Sequence, residues 1–84
     1  MPAAAGDGRG ASPGQVLRDE FLEPRGLTEP ELARRMGVEP GRVQALVQGT
    51  HGVTPGLALR LARSLDTTPD FWMELQAAWE GGQD

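Results

Sequence analysis

Apolar side chains return at three- and four-residue intervals in five short stretches of this 84-residue chain, and no stretch sustains the strict alternation of a strand. Four places pair a cap-like residue with a following proline: Ser12-Pro13, Glu39-Pro40, Thr54-Pro55 and Thr68-Pro69. Proline suits the first position of a helix, where the N–H it lacks would find no intrahelical partner anyway. Ser12…Gln15 and Thr28…Glu31 also have the spacing of a reciprocal capping box. The starts predict five helices, over about 13–23, 28–36, 40–47, 55–65 and 69–80.

Periodicity assigns each helix an inward face. The first turns Val16, Leu17 and Phe21 to the core and is expected to stop before Pro24. The second contributes Leu32, Ala33 and Met36, and the third Val43, Leu46 and Val47. The fourth contributes Ala58, Leu61, Ala62 and Leu65. The fifth groups Phe71, Trp72, Leu75, Ala78 and Trp79 on one broad face before Gly81-Gly82. Glu20 falls inside the first apolar arc, which predicts a buried ion pair, with Arg60 and Arg63 as candidates to brace acids of helix one. The expected architecture is all-α, a compact five-helix bundle over residues 12–80, with flexible tails at 1–11 and 81–84.

The join between the second and third helices carries the most information. Ala33 is small enough for a close crossing. Gly37, four residues on, can take the left-handed conformation of a sharp turn, and Val43 and Leu46 would lock the next helix down. These intervals describe a helix-turn-helix, whose second helix enters the DNA major groove. Two longer segments, "PGQVLRDEFLEPRGLTEPELARRMGV" and "GVTPGLALRLARSLDTTPDFWMELQAAWE", resemble the HigA-type antitoxins of bacterial toxin–antitoxin pairs. Those proteins are relatives of the small phage-repressor (Xre-like) domains. The likeness runs from about Pro13 to Glu80, with the aromatic ending as its most distinctive part. It implies a homodimer that represses its own operon by binding operator DNA and neutralises a small basic, RNA-cleaving, HigB-like toxin.

Within that frame the third helix should face DNA. Arg42 points away from Val43 and Leu46 and is the first candidate for a base or phosphate contact, since a guanidinium grips either in two bonds. Gln44 and Gln48 are exposed amides, and Gln48 stands where relatives hold a backbone phosphate. Ala45 can touch a thymine methyl, and Thr50 and His51 can add phosphate contacts. Pro40 and Gly41 offer a helix start and close backbone approach, and one of Arg34 and Arg35 should reach phosphate, with Arg34 taken here. Glu29 stands where phage-repressor relatives often place a glutamine, and it would repel phosphate.

Charge and composition adjust the picture. The formal charge is −4, which by itself disfavours nucleic acid. Yet residues 34–65 hold five arginines against one acid, Glu39, while the remainder holds three against eleven. A basic centre between acidic flanks suits two partners of opposite sign. Asp19, Glu20 and Glu23 of helix one are the candidate toxin-binding residues. Trp72, Met73, Gln76, Ala77 and Trp79 are the candidate dimer interface. An interaction module whose helix-turn-helix binds operator weakly or not at all is the alternative.

There is no cysteine, and His51 stands alone, so neither a disulfide scaffold nor a metal site is expected. No apolar run has membrane-spanning length and the start lacks a signal-peptide pattern, so a cytoplasmic protein is expected. Ser12 and Ser64 have no histidine partner by any pattern in the chain, so no enzyme, cofactor or small-molecule substrate is expected.

Overall fold

A computed structural model describes residues 12–82 as five helices. Helix α1 covers residues 13–25 in three consecutive segments, Pro13–Val16, Leu17–Leu22 and Glu23–Arg25. It is followed by α2 (Glu29–Met36), α3 (Pro40–Gln48), α4 (Pro55–Leu65) and α5 (Pro69–Gly82). The five expected helices are therefore present. The tail expected at 1–11 lies outside the described residues, as do 83 and 84. Residues 81–82, expected to be tail, continue α5 instead, because glycine at a helix end lowers propensity without forbidding the turn.

Local chemistry explains the starts. Ser12 Oγ accepts from the Gln15 amide at 3.2 Å while Gln15 Oε1 accepts from the Ser12 amide at 3.1 Å. Thr28 and Glu31 make the same reciprocal pair at 3.2 and 2.9 Å. Thr54 Oγ1 accepts from the Leu57 amide, and Thr68 Oγ1 from the Phe71 amide, both at 3.2 Å. Each hydroxyl satisfies a first-turn N–H that has no partner inside its helix.

The first helix departs from expectation. It passes through Pro24 and ends on Gly26, because its middle, Leu17–Leu22, is a π turn. The Glu23 amide bonds back to the Arg18 carbonyl, five residues away. A widened turn relieves the clash that a proline ring makes with the carbonyl four residues earlier. It also changes which side chains share a face. Leu17 and Leu22, five apart, are both buried, while Val16 and Phe21 are only partly covered. Glu20 is turned out to solvent, so the expected buried ion pair does not form. The ion pair within 4 Å among the described residues is the exposed Arg18–Asp19 contact at 3.0 Å.

The core gathers Leu17, Leu32, Val43, Leu46, Leu61, Leu65 and Trp72, all nearly or fully excluded from water. Helix α3 packs on α2 and α1, α4 packs on α2 and α5, and α1 also meets α5. Under α3, Gly14 brings the backbones of α1 and α3 together. A Cβ at residue 14 would stand 1.7 Å from the Leu46 carbonyl oxygen and 2.7 Å from the Val47 Cα. The aromatic cluster is shared between α1 and α5: Phe21 lies 5.3 Å from Trp72 and 6.0 Å from Phe71, ring centre to ring centre. Trp72 is fully buried and its indole N–H donates to Thr67 Oγ1 at 2.7 Å. Phe71, expected in the core, is 36% exposed, because Trp72 takes the inner position and Phe71 caps its edge. Ala78 is likewise exposed.

Candidate nucleic-acid interface

Helix α2 ends where the sequence places the turn. Gly37 adopts φ 74°, ψ 31°, and the Val38 amide reaches back to the Ala33 carbonyl at 3.0 Å. This closing geometry needs a left-handed residue, which glycine supplies without a Cβ penalty. A second tie comes from α4, where Arg60 Nη1 donates to the Met36 carbonyl oxygen at 2.6 Å. Arg60 therefore closes the C-terminus of α2. It does not brace an acid of α1, and Arg63 is exposed with no acid within 4 Å among the described residues.

Helix α3 leaves this turn with its inner face, Val43, Leu46 and Val47, buried against α2 and α1. Residues 41, 45 and 48 lie opposite that face, with Gln44 and Arg42 on the two flanks. Pro40, Gly41, Arg42, Gln44 and Gln48 are exposed and Ala45 is half-buried. Among the described residues beyond its own helix turn, nothing lies within 4 Å of where a Gly41 Cβ would be, so that glycine answers no packing need there. Thr50 closes α3: its amide and its hydroxyl both donate to the Ala45 carbonyl, at 3.0 and 3.2 Å. The hydroxyl proton expected for a phosphate is thus already engaged. His51 is exposed in the loop that follows.

Arg34 and Arg35 are exposed on the last turn of α2, a position that favours cations beside the negative end of the helix dipole. The Thr28 amide, then its hydroxyl, hold the Glu31 carboxyl below the ordinary carboxylate range, and the charges of Arg34 and Arg35 add to this. The Asp19 carboxylate, by its hydrogen bond and its charge, raises the Arg18 guanidinium. Arg42 and Arg60 line one shallow depression with Gly37, Val38 and Glu39. The side chains of Arg34, Arg42, Gln44 and Gln48 have no hydrogen-bonded or ion-paired partner among the described residues. The candidate interface is thus a helix packed on α1 and α2 whose outer side chains have no partner among the described residues.

The other candidate surfaces divide. Asp19, Glu20 and Glu23 are all exposed on α1, with Asp19 bonded to Arg18. On α5, Met73 and Trp79 are half-buried and Ala77 is exposed. Trp72 and Gln76 offer a second copy nothing, since both are buried inside the chain. Gln76 Oε1 accepts from the Val53 amide at 2.7 Å and its Nε2 donates to Glu80 at 2.8 Å. A glutamine on an apolar face was the signal available for that role. Gly14 in the first turn of a helix was the corresponding signal for a backbone contact. Nothing local marked Arg60 as the clamp on Met36, 24 residues away.

Among the described residues, no group of three His, Asp or Glu side chains is placed to hold a metal ion, and no helix is long and apolar enough to cross a membrane.

A family described as Helix-turn-helix matches residues 19–72. The antitoxin HigA-1 of Vibrio cholerae is 45% identical over 71 residues, which is 83% of this chain and 66% of that protein. A transcriptional regulator of Escherichia coli, YbaQ, is 44% identical over 72 residues, 82% of this chain and 64% of its own length. The chain therefore spans about two thirds of the length of these curated relatives. Among solved structures, the Pseudomonas aeruginosa antitoxin HigA with the higBA promoter superposes with a TM-score of 0.85 at 36% identity, covering 89% of this chain and 82% of that one.

Proposed function

This chain belongs to the helix-turn-helix family, in its Xre-like branch, and from that premise we propose that it is a HigA-type antitoxin, a regulator that represses its own operon. The observation that carries the reading is α3 itself. It is clamped from below by α1 and α2 and at its entry by Arg60, and it presents Arg42, Gln44 and Gln48 uncommitted to solvent. Its likeness to an antitoxin that has been solved with promoter DNA supports the same face as the one that meets operator.

The charge pattern supports the remainder. A basic toxin that cleaves RNA would meet Asp19, Glu20 and Glu23, which are exposed on α1. A second copy would meet Met73, Ala77 and Trp79 on α5. Dimerisation would set two recognition helices roughly 34 Å apart, one turn of DNA, over a palindromic site in the bacterial cytoplasm. In this reading the protein's work is binding.

The test is fluorescence anisotropy on the duplex upstream of the chain's own gene, with wild-type protein and Arg42→Ala. The wild type should bind with an affinity that falls as salt rises, and Arg42→Ala should lose roughly 1–3 kcal/mol. A chain that binds its toxin but no duplex would instead be the interaction module, and equal binding by Arg42→Ala would remove Arg42 from the interface.

A further inference from the structure

The residue that opens the recognition helix behaves unlike the other helix-opening residues. Ser12, Thr28, Thr54 and Thr68 each spend their side chain on a first-turn amide. Glu39, the N-cap of α3, has extended backbone (φ −73°, ψ 146°) and makes no side-chain cap bond. Its side chain is exposed and lines the depression with Arg42 and Arg60, yet neither guanidinium lies within 4 Å of the carboxylate; the Arg42 backbone amide donates instead to the Glu39 carbonyl, at 2.9 Å. Arg60 is turned to Met36 and Arg42 is free. The carboxylate at the mouth of the reading helix is therefore committed to nothing within the described chain.

A free carboxylate there has a defined effect on DNA. It repels phosphates, so it lowers binding to any sequence that offers it no donor. Within the major groove the donors are the exocyclic amino groups of cytosine and adenine, whereas guanine and thymine present acceptors at the corresponding edge. Adenine sets its N7 acceptor beside that amino group, which opposes a carboxylate. Cytosine sets only a C–H there.

Resting on the operator-binding reading above, we propose that Glu39 is a base-reading carboxylate: it makes binding conditional on a cytosine whose N4 amino group faces the N-terminus of α3. Glu39 thereby sets specificity by penalising the wrong DNA, and Arg42 beside it supplies the attraction.

The experiment selects a randomised duplex pool in parallel with the full-length wild-type chain and with Glu39→Gln, then sequences both. Affinities follow for the wild-type consensus and for a scrambled duplex, with thermal melting of both proteins as a control. The wild-type pool should fix cytosine at one position of each half-site. The Glu39→Gln pool should move that position toward adenine, which suits a glutamine amide, and leave the others unchanged. The variant should hold scrambled duplex about tenfold more tightly and so lose most of its discrimination, while melting with the wild type. Identical consensus sequences from the two pools would overturn the proposal, as would equal tightening on both duplexes, the mark of simple repulsion. A wild-type pool that enriches no sequence would remove the operator-binding reading itself.

Discussion

Arg60 Nη1 donates to the carbonyl oxygen of Met36 at 2.6 Å, tying the middle of α4 to the last residue of α2. The bond satisfies a helix-end carbonyl and pins the turn from which α3 departs. Arg60→Met keeps most of the apolar stem and removes the donor. It should lower stability by about 1 kcal/mol, a melting shift of roughly 4–8 °C for a domain of this size, read by circular dichroism. Unchanged melting would mean that water replaces the guanidinium at no cost.

Two helical glycines should respond in opposite directions. Gly14→Ala places a Cβ against the backbone of α3, at 1.7 Å from the Leu46 oxygen and 2.7 Å from the Val47 Cα, so α1 must lift from α3. The expected loss is about 3 kcal/mol, the upper end for overpacking, seen as a lower urea midpoint. Gly41→Ala meets open space and should raise stability by about 0.5–1 kcal/mol through helix propensity, seen as a higher urea midpoint. Equal behaviour of the two variants would contradict the close approach at Gly14.

Helix α4 ends on a non-glycine residue, Asp66, in the left-handed region at φ 60°, ψ 46°. An aspartate there carries both backbone strain and a negative charge at the negative end of a helix dipole. Asp66 is exposed, so Asp66→Gly removes both penalties without opening the core. The melting temperature should rise by roughly 4–8 °C, corresponding to about 1 kcal/mol.

The cap of α2 predicts a pH dependence. Thr28 holds the Glu31 carboxyl below its ordinary value of 4.5, so the folded state binds that proton less readily than the unfolded state. This contribution is complete above the ordinary value and is lost as pH falls through the lower native one. Glu31→Gln keeps an acceptor for the Thr28 amide and removes the titration. Thermal melts from pH 7 downward should show a shallower acid limb for the variant, and parallel curves would count against the assignment.

The helix starts were legible in the sequence because N-cap and proline chemistry is decided within four residues, as at Ser12-Pro13 and Thr54-Pro55. The turn at Gly37 was legible for the same reason. The path of α1 through Pro24 was not, because a π turn depends on which of Phe21 and Leu22 the rest of the core accepts. Nor could a 3.6-residue period decide between the adjacent Phe71 and Trp72; both meet Phe21 of another helix, and Trp72 takes the buried place. Gln76 reads as a dimer-interface residue in the sequence because its partner, the Val53 amide, lies 23 residues away. On the recognition helix, the outward positions were readable from spacing. Whether each was free depended on distant contacts, which engaged Arg60 and the Thr50 hydroxyl and left Glu39 open.

The backbone contact at Gly14 also bears on how such a protein can diversify. Position 14 admits one amino acid, since any side chain would displace the strut beneath α3. The positions at the start and on the outer and flanking sides of that helix, 39, 41, 42, 44 and 48, are exposed and lie outside the buried core. Drift in what the helix reads is thereby uncoupled from drift in how it is held. A duplicated copy could acquire a new operator through a few outward substitutions while its scaffold stayed intact.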